Sequence, residues 1–419
     1  MKKLFLLLIL HSSFLIVNCY SQQYGWVDIS NNLPASNGTA TLPDMHWISD
    51  NEGWICSGLL GEIYHTTDGC QTFETQTTQY YTNAIYMLNS QVGYAGGIQG
   101  RVYKTTNGGA DWIVHGSFGS TLSDIDFPQN SDSGYCCGDQ GKIYKITPTG
   151  ISSMNSGITA SLRSISFPSA SLGWTCTNGI ILHYDGSTWF EQDSPLHSYN
   201  GIYMSNNTTG WAVGIGLGTG GLVGVIVHTT DGGSNWNYQT NPDTSNISLW
   251  NVFFLDVSEG WVVGDNGVVL HTTNSGANWN IEIDGWTNNM LRSVQFTSST
   301  NGYILGNNKT LFKYGLLTDV EQQPAQPTEF KLEQNYPNPF NPSTTIKYSI
   351  PSVGTRLALS VQLKVYDVLG NEIATIVNEE KPSGMYNVQF TMNNVSSGIY
   401  FYQLKAGDYL QTKKMILIK

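Results

Sequence analysis

The hydrophobic positions of this chain fall in short alternating runs broken by glycine-rich turns, and the runs recur. One reads L-x-x-V-x-F: LSDIDF from Leu122, LRSISF from Leu162, LWNVFF from Leu249 and LRSVQF from Leu291. Each is followed by a GWxVG run, then by a GxxxHTT run, and then by a segment that opens on a Trp after Asp-Gly-Gly. Alternation with a period of two is the mark of a half-buried strand, so each unit predicts four strands. The glycines that open the second run are Gly53, Gly93, Gly134, Gly173, Gly210, Gly260 and Gly302, spaced 40, 41, 39, 37, 50 and 42 residues apart. A period near 40 with four strands per unit predicts propeller blades. A single blade would expose two apolar faces, and neighbours around an axis bury both. The pattern therefore predicts an all-β, seven-bladed propeller over residues 22–317.

The seventh copy stops after FKYG, short of its Trp-bearing strand. The segment YGWVDIS at 24–30 has the pattern of that missing strand and is expected to close the ring, which also removes an exposed sheet edge. Beyond Gly315 the repeat phrase ends. Residues 318–330 are polar with two prolines and read as a linker. Residues 331–419 then alternate again in LKVYDV, YNVQF and YFYQL, which predicts a small antiparallel β-sandwich. At the other end, Lys2 and Lys3 precede an apolar run with small and polar residues after it, which reads as a signal peptide over 1–21. LIVNC, ending at Cys19, leaves lipoprotein processing as an alternative. The apolar run is short for a membrane span, and no other stretch approaches one, so no transmembrane span is expected in the mature chain.

Composition narrows the function. Only 12% of residues are charged against 12% aromatic, and 45 are Gly, which excludes coiled coils and disordered tails. Net charge is −12, and the arginines are four: Arg101, Arg163, Arg292 and Arg356. No basic stripe exists to displace counterions, so nucleic acid is excluded as a partner. Cys56, Cys137 and Cys176 occupy one repeat position that other copies fill with Val213, Val263 and Leu305, so they read as small apolar residues. No His/Cys cluster has metal-ligand spacing, and neither a metal nor a cofactor is expected. His65, His183, His228 and His271 share one slot with Lys104, Lys145 and Lys313, which speaks against catalytic or metal-binding roles.

At the turn between the third and fourth strands the copies follow [ST]-x-[DN]-x-G-x-x-W, carrying Asp68, Asn107, Asp231 and Asn274. Cys70 and Phe73 replace the Gly and the aromatic in the first copy. This pattern resembles the Asp-box, or bacterial neuraminidase repeat. Its carboxylate or amide is expected to hold a tight turn by accepting backbone N–H groups. The whole phrase GWxVGxxGxxxHTTDGGxxW is similar to the photosystem II stability/assembly factor propellers, and more loosely to sortilin- and sialidase-type propellers. That resemblance implies an assembly or scaffold factor rather than an enzyme. The family's first-strand phrase often carries Arg, and here that slot holds Arg163 and Arg292 but also Pro43, Asn83, Ser123, Asn200 and Trp250. The tail, from YPNPFNP through VYDVLGNE to KKMILIK, resembles the C-terminal sorting domain of type IX secretion substrates. By that resemblance Lys413, Lys414, Met415, Ile416, Leu417, Ile418 and Lys419 form the sorting signal. The type IX machinery is then a partner, and the protein reaches the surface or exterior of a Gram-negative bacterium after Sec export.

The expected function is a non-catalytic binding or scaffold propeller with a protein or glycan ligand. The alternative is a carbohydrate-active enzyme of sialidase or xyloglucanase type. Sialidases need an arginine cluster, and hydrolases need two carboxyls roughly 5–9.5 Å apart. The second-to-third-strand turns offer Asp139 and Asp265 in blades across the ring. A ligand is expected on the face shared by those turns and the loops between blades, opposite the Asp-box turns. There Arg163, Trp250, Trp286 and Arg292 are the candidate binding residues, able to stack a sugar ring or grip a peptide.

Overall fold

The computed structural model describes residues 24–35, 41–57, 61–193, 197–218, 221–243, 245–283, 286–317, 329–351, 359–381, 384–392 and 395–418. The expected signal peptide and residues 318–328 of the expected linker lie outside them. Among the described residues the repeat region forms seven four-stranded antiparallel sheets, each in simple up-and-down order. The innermost strands are Met45–Trp47, Thr82–Met87, Leu122–Asp126, Ser164–Ser169, Ser198–Met204, Leu249–Phe254 and Leu291–Ser298. We number the blades 1 to 7 in that order and letter their strands a to d from the inside. Blade 7 takes its strand d from the N-terminus: Tyr24–Asp28 pairs with Leu311–Leu316, Trp26 opposite Tyr314. Trp26 meets Phe296 edge-on at 5.5 Å and 87°, much as Trp279 meets Phe254 in blade 6 at 5.9 Å and 84°.

The core is divided among the joints between blades. Trp211, Val213 and Ile226 of blade 5 pack with Leu249, Val252 and Phe254 of blade 6, and blades 6 and 7 join in the same way. The cluster that joins Tyr303, Leu305 and Leu311 of blade 7 to Met45, Trp47 and Ile55 of blade 1 closes the ring. Cys56, Cys137 and Cys176 sit fully buried in these joints as free thiols. Burial pushes the Cys176 thiol up to about 12, so it behaves as an apolar filler.

Five of the seven joints are built around a ring stack that explains the GW/GY phrase; in the other two Met87 and Met204 take the place of the strand-a ring. The strand-b aromatic lies flat on the strand-a aromatic of the next blade: Tyr135 on Phe167 at 3.6 Å, Trp211 on Phe254 at 3.4 Å, Tyr303 on Trp47 at 3.6 Å. That strand-a ring also covers the glycine opening its own strand b. A Cβ at Gly173 would meet Phe167 at 2.3 Å, and one at Gly302 would meet Phe296 at 2.5 Å. The other side of the strand-b ring is covered from strand c, and the partner follows the ring. Trp54, Trp174, Trp211 and Trp261 stack on His65, His183, His228 and His271 at 4.2–4.7 Å. Tyr94, Tyr135 and Tyr303 instead lie under Lys104, Lys145 and Lys313 at 5.6–5.9 Å.

The tail is described by itself. It holds a three-stranded sheet (Lys331–Leu332, Ser343–Ile350, Gly384–Thr391) and a four-stranded sheet (Leu359–Tyr366, Glu372–Lys381, Gly398–Ala406, Tyr409–Leu417). Ile346, Tyr348, Val361, Leu363, Tyr402, Leu404, Met415 and Leu417 form its shared core. No described helix is long and apolar enough to cross a membrane.

Candidate functional site

A strand a is the inner edge of its sheet, and its N–H groups face a channel instead of another strand. Side chains of the preceding blade take them up. Asp44 accepts from Ile85 N–H at 3.0 Å, Asp124 from Ile165 at 2.8 Å, Ser164 from Ile202 at 3.3 Å and Asn251 from Val294 at 3.2 Å. Two residues further along, His46 accepts from Met87 at 3.2 Å, Ser166 from Met204 at 3.0 Å, and Gln295 closes the ring by accepting from Trp47 at 2.9 Å. With Asp126, which accepts from Phe167 N–H at 2.5 Å, three of the acceptors are carboxylates open to the channel yet enclosed by the ring. Burial raises Asp44 to about 8, with Asp124 adding repulsion; burial raises Asp126 to about 7 and Asp124 to about 6. Burial likewise lowers His46 to about 4.

At one end the channel widens into a cavity of about 380 Å³. All seven residues of the first-strand slot line it, among them Arg163, Trp250 and Arg292, together with Asp44 and Asp124 from the position after. Strict alternation would turn these two positions to opposite faces. A β-bulge reconciles them: in blades 2, 3, 5, 6 and 7 the a–b pairing slips across the slot residue, as between Leu249 and Asn251. The bulged residue is swung toward the axis beside its neighbour. The backbone entering strand a is thereby pressed onto strand b, where only glycine leaves room. A Cβ at Gly138 would meet Thr121 O at 2.1 Å, and one at Gly306 would meet Met290 O at 2.3 Å.

Arg292 lies over the Trp250 ring at 5.5 Å, and its Nε donates to Asn307 Oδ1 at 2.8 Å. Trp250 Nε1 donates to Asp265 Oδ1 at 2.8 Å, so Asp265 serves the tryptophan. Arg163 donates to Asn200 Oδ1. Among the described residues neither guanidinium has a carboxylate within 4.0 Å, although both sit in a half-enclosed cavity. Trp286 is not among the lining residues; it is 36% exposed and packs edge-on against Phe312 at 5.7 Å. Asp139 lies in the turn of blade 3 and is likewise not among the lining residues. Asp44 and Asp124 were not singled out by sequence reasoning. The recurrent small or polar residue at their position was the available signal, and the bulge that turns Asp124 inward is invisible in sequence.

The Asp-box side chains are consumed by their own turns. In blade 5, Thr229 Oγ1 donates to Asp231 Oδ1 at 2.9 Å, which also accepts Asn235 N–H at 2.9 Å, while Gly233 N–H returns to Thr229 Oγ1 at 2.8 Å. Asn107 and Asn274 make the same bonds through their amide oxygens, and Asp68 does so with Cys70 at φ 72° in the glycine position. Gln76, Gln192 and Gln239 from the preceding blades reach Gly108 O, Gly232 O and Ser275 O at 2.7–2.9 Å. The turn is a joint between blades. In the tail, Lys413–Leu417 belong to the last strand, Met415 and Leu417 facing its core, and Ile418 N–H bonds Phe340 O at 2.9 Å. Lys419 lies outside the described residues.

Residues 334–419 match the family described as the secretion system C-terminal sorting domain, and residues 184–287 match that described as photosynthesis system II assembly factor YCF48. No curated protein matches the chain. Among solved structures it resembles YCF48 bound to D1 peptide, at 20% identity and TM-score 0.57 over 72% of this chain and 96% of that one. YCF48 from Cyanidioschyzon merolae follows at 16% and 0.55, covering 70% and 98%. The WD40 β-propeller domain of Doa1 stands at 11% and 0.57, covering 72% and 100%. At such identities the likeness shows the fold alone. The sorting segment marks a secreted or cell-surface protein. The chain thus joins a β-propeller that resembles the photosynthesis system II assembly factors to a C-terminal segment that resembles the secretion system sorting domain.

Proposed function

We propose that the propeller is an exported, non-catalytic binding module whose channel mouth receives a carboxylate-bearing polypeptide segment. The observation that carries this reading is the pair of guanidiniums, Arg163 and Arg292, held in one cavity without an ion-pair partner among the described residues. A guanidinium fork matches a carboxylate in two hydrogen bonds, and a half-enclosed site strengthens the pairing. The D1 peptide of the YCF48 neighbour supports a peptide as ligand class. By this reading the tail (331–419) delivers the propeller (22–317) through the type IX route, after a signal peptide has taken it across the inner membrane.

A second reading has an observation of its own. Asp44 and Asp124 share the cavity with values near 8 and 6, the kind of split a hydrolase uses for acid and base. Against it, both carboxylates already accept a backbone N–H of the next blade. The test screens the full secreted chain against peptide arrays, polysaccharides and sialosides. The binding reading expects peptide capture that Arg163→Ala with Arg292→Ala lowers at least about tenfold. Sustained turnover of a glycan, abolished by Asp124→Asn, would replace it with the enzyme.

A further inference from the structure

Beside the mouth, between blades 6 and 7, lies a second cavity of about 370 Å³. Six asparagines line it: Asn246, Asn266, Asn288, Asn289, Asn307 and Asn308; Asp265 and Met290 complete the wall. Turn geometry explains two of the six, since Asn266 and Asn308 have φ of 56° and 53°, where Asn is favoured. Even there Asn is not obligatory, because Gln99 and Gln140 hold the same turn in blades 2 and 3 at φ 58° and 60°. The other four have no such reason.

The two cavities share a wall. Asn307 accepts Arg292 Nε and Asp265 accepts Trp250 Nε1, so residues of the second cavity hold the side chains of the first. Asn308 donates to Asn289 Oδ1 at 2.7 Å, and Asn289 donates to Thr310 Oγ1 at 2.8 Å, which fixes that side. The carboxamides of Asn246, Asn266 and Asn288 make no hydrogen bond within the described residues, and all three residues are exposed. Asp265 carries the cavity's formal charge, and both its oxygens are taken, by Trp250 Nε1 and by Ser248 N–H at 2.9 Å.

We infer that this cavity is a backbone-reading groove for an extended peptide, continuous with the arginine mouth. The inference rests on the peptide reading above. A carboxamide carries the same N–H donor and C=O acceptor as a peptide bond, so it pairs with main chain in two bonds whatever the side chains are. A groove of neutral amides therefore takes any sequence, and the arginines next door supply the requirement for a carboxylate. A glycan groove would instead offer an aromatic face, and none lines this cavity; the nearby Trp250 ring is covered by Arg292.

The experiment uses the full mature chain and a degenerate decapeptide pool with free carboxyl termini. The tightest binder is then shortened from its N-terminus to three residues, and also prepared N-methylated at alternate amides. Asn246→Ala with Asn288→Ala should weaken the decapeptide about tenfold, the loss of a few hydrogen bonds, and leave the tripeptide unchanged. Alternate N-methylation should weaken the decapeptide comparably in the wild type and have little further effect in the double variant. Arg163→Ala with Arg292→Ala should weaken both lengths equally. If no peptide binds the wild type, the peptide reading falls and this inference with it. If peptides bind and need the arginines, but the asparagine variant holds both lengths as wild type does, only the groove is refuted. Binding of a neutral oligosaccharide that the asparagine variant abolishes would also overturn it. Urea denaturation of each variant separates lost binding from lost folding.

Discussion

At the level of single residues, the channel carboxylates make the propeller pH-sensitive in a direction opposite to that of ordinary surface acids. Asp44 is raised to about 8 and Asp126 to about 7, so the native state holds protons that the unfolded chain has released. Their contribution is present at low pH and is lost as pH rises through the folded values. His46, lowered to about 4, acts in the other direction, but only as pH falls below its ordinary value of 6.5. Between pH 7 and 9 the carboxylates decide the slope, and stability should fall. Asn251 already does in blade 6 what Asp44 does in blade 1. Asp44→Asn should therefore be more favourable at pH 9 than at pH 5, by up to about 4 kcal/mol. Urea unfolding at the two values measures it, and a greater destabilisation at pH 9 than at pH 5 would mean the carboxylate is ionised and useful. The Trp–His and Tyr–Lys pairing is the other residue-scale rule. Trp211→Tyr and His228→Lys should each destabilise alone. Together they should recover roughly 0.5–1 kcal/mol in a double-mutant cycle, because blades 2, 3 and 7 already use that pair.

Among the elements, the last strand of the tail carries two tasks at once. Tyr409–Leu417 pairs along its whole length with Gly398–Ala406 and places Met415 and Leu417 in the tail's core. It also contains most of the residues that the family resemblance makes the sorting signal. Removing residues 413–419 is expected to unravel the tail's sheet while leaving the propeller folded and trapped in the periplasm. Cell fractionation, with a melting curve of the retained protein, reads both outcomes at once. Normal surface display of the truncated chain would refute the sorting role. The bulge of strand a is the element that matters for binding, because it sets two consecutive residues toward the axis where a regular strand would set one.

For the molecule as a whole, stability resides in the joints, and the chain links the last blade to the first only through the N-terminal strand, Tyr24–Asp28, which pairs in blade 7 and then runs on into blade 1. Trp26 nevertheless repeats the geometry of Trp279, and both are almost fully buried. Trp26→Ala and Trp279→Ala should then cost similar amounts, about 3–5 kcal/mol each. A much smaller loss for Trp26→Ala in calorimetry would mean that the N-terminal strand only covers the ring. A ring of joints also explains why the mouth can carry seven different residues. Each blade contributes one slot residue, and the stack beneath it, from His or Lys through Trp or Tyr to the next blade's ring or methionine, is indifferent to which residue that is.

The repeat phrases determined the blade, its four strands and the closing strand, because a period near 40 and alternation of two are local properties that each copy states again. The Asp-box was legible for the same reason: Thr229, Asp231 and Gly233 lie within one turn and bond only to each other and their neighbours. The slot of Arg163 and Arg292 could also be read by aligning the copies. What tertiary structure decided is which of these residues meet. Arg163 and Arg292 reach one cavity from blades 4 and 7 only because the ring brings their strands to a common axis. Asp124 joins them only because a bulge breaks the alternation that sequence patterns assume. Trp286 was a candidate binding residue in the sequence, yet it packs edge-on against Phe312 and does not line the mouth. The six asparagines lie in four separate loops of ordinary turn composition, and only the packing of blade 6 against blade 7 makes them one surface.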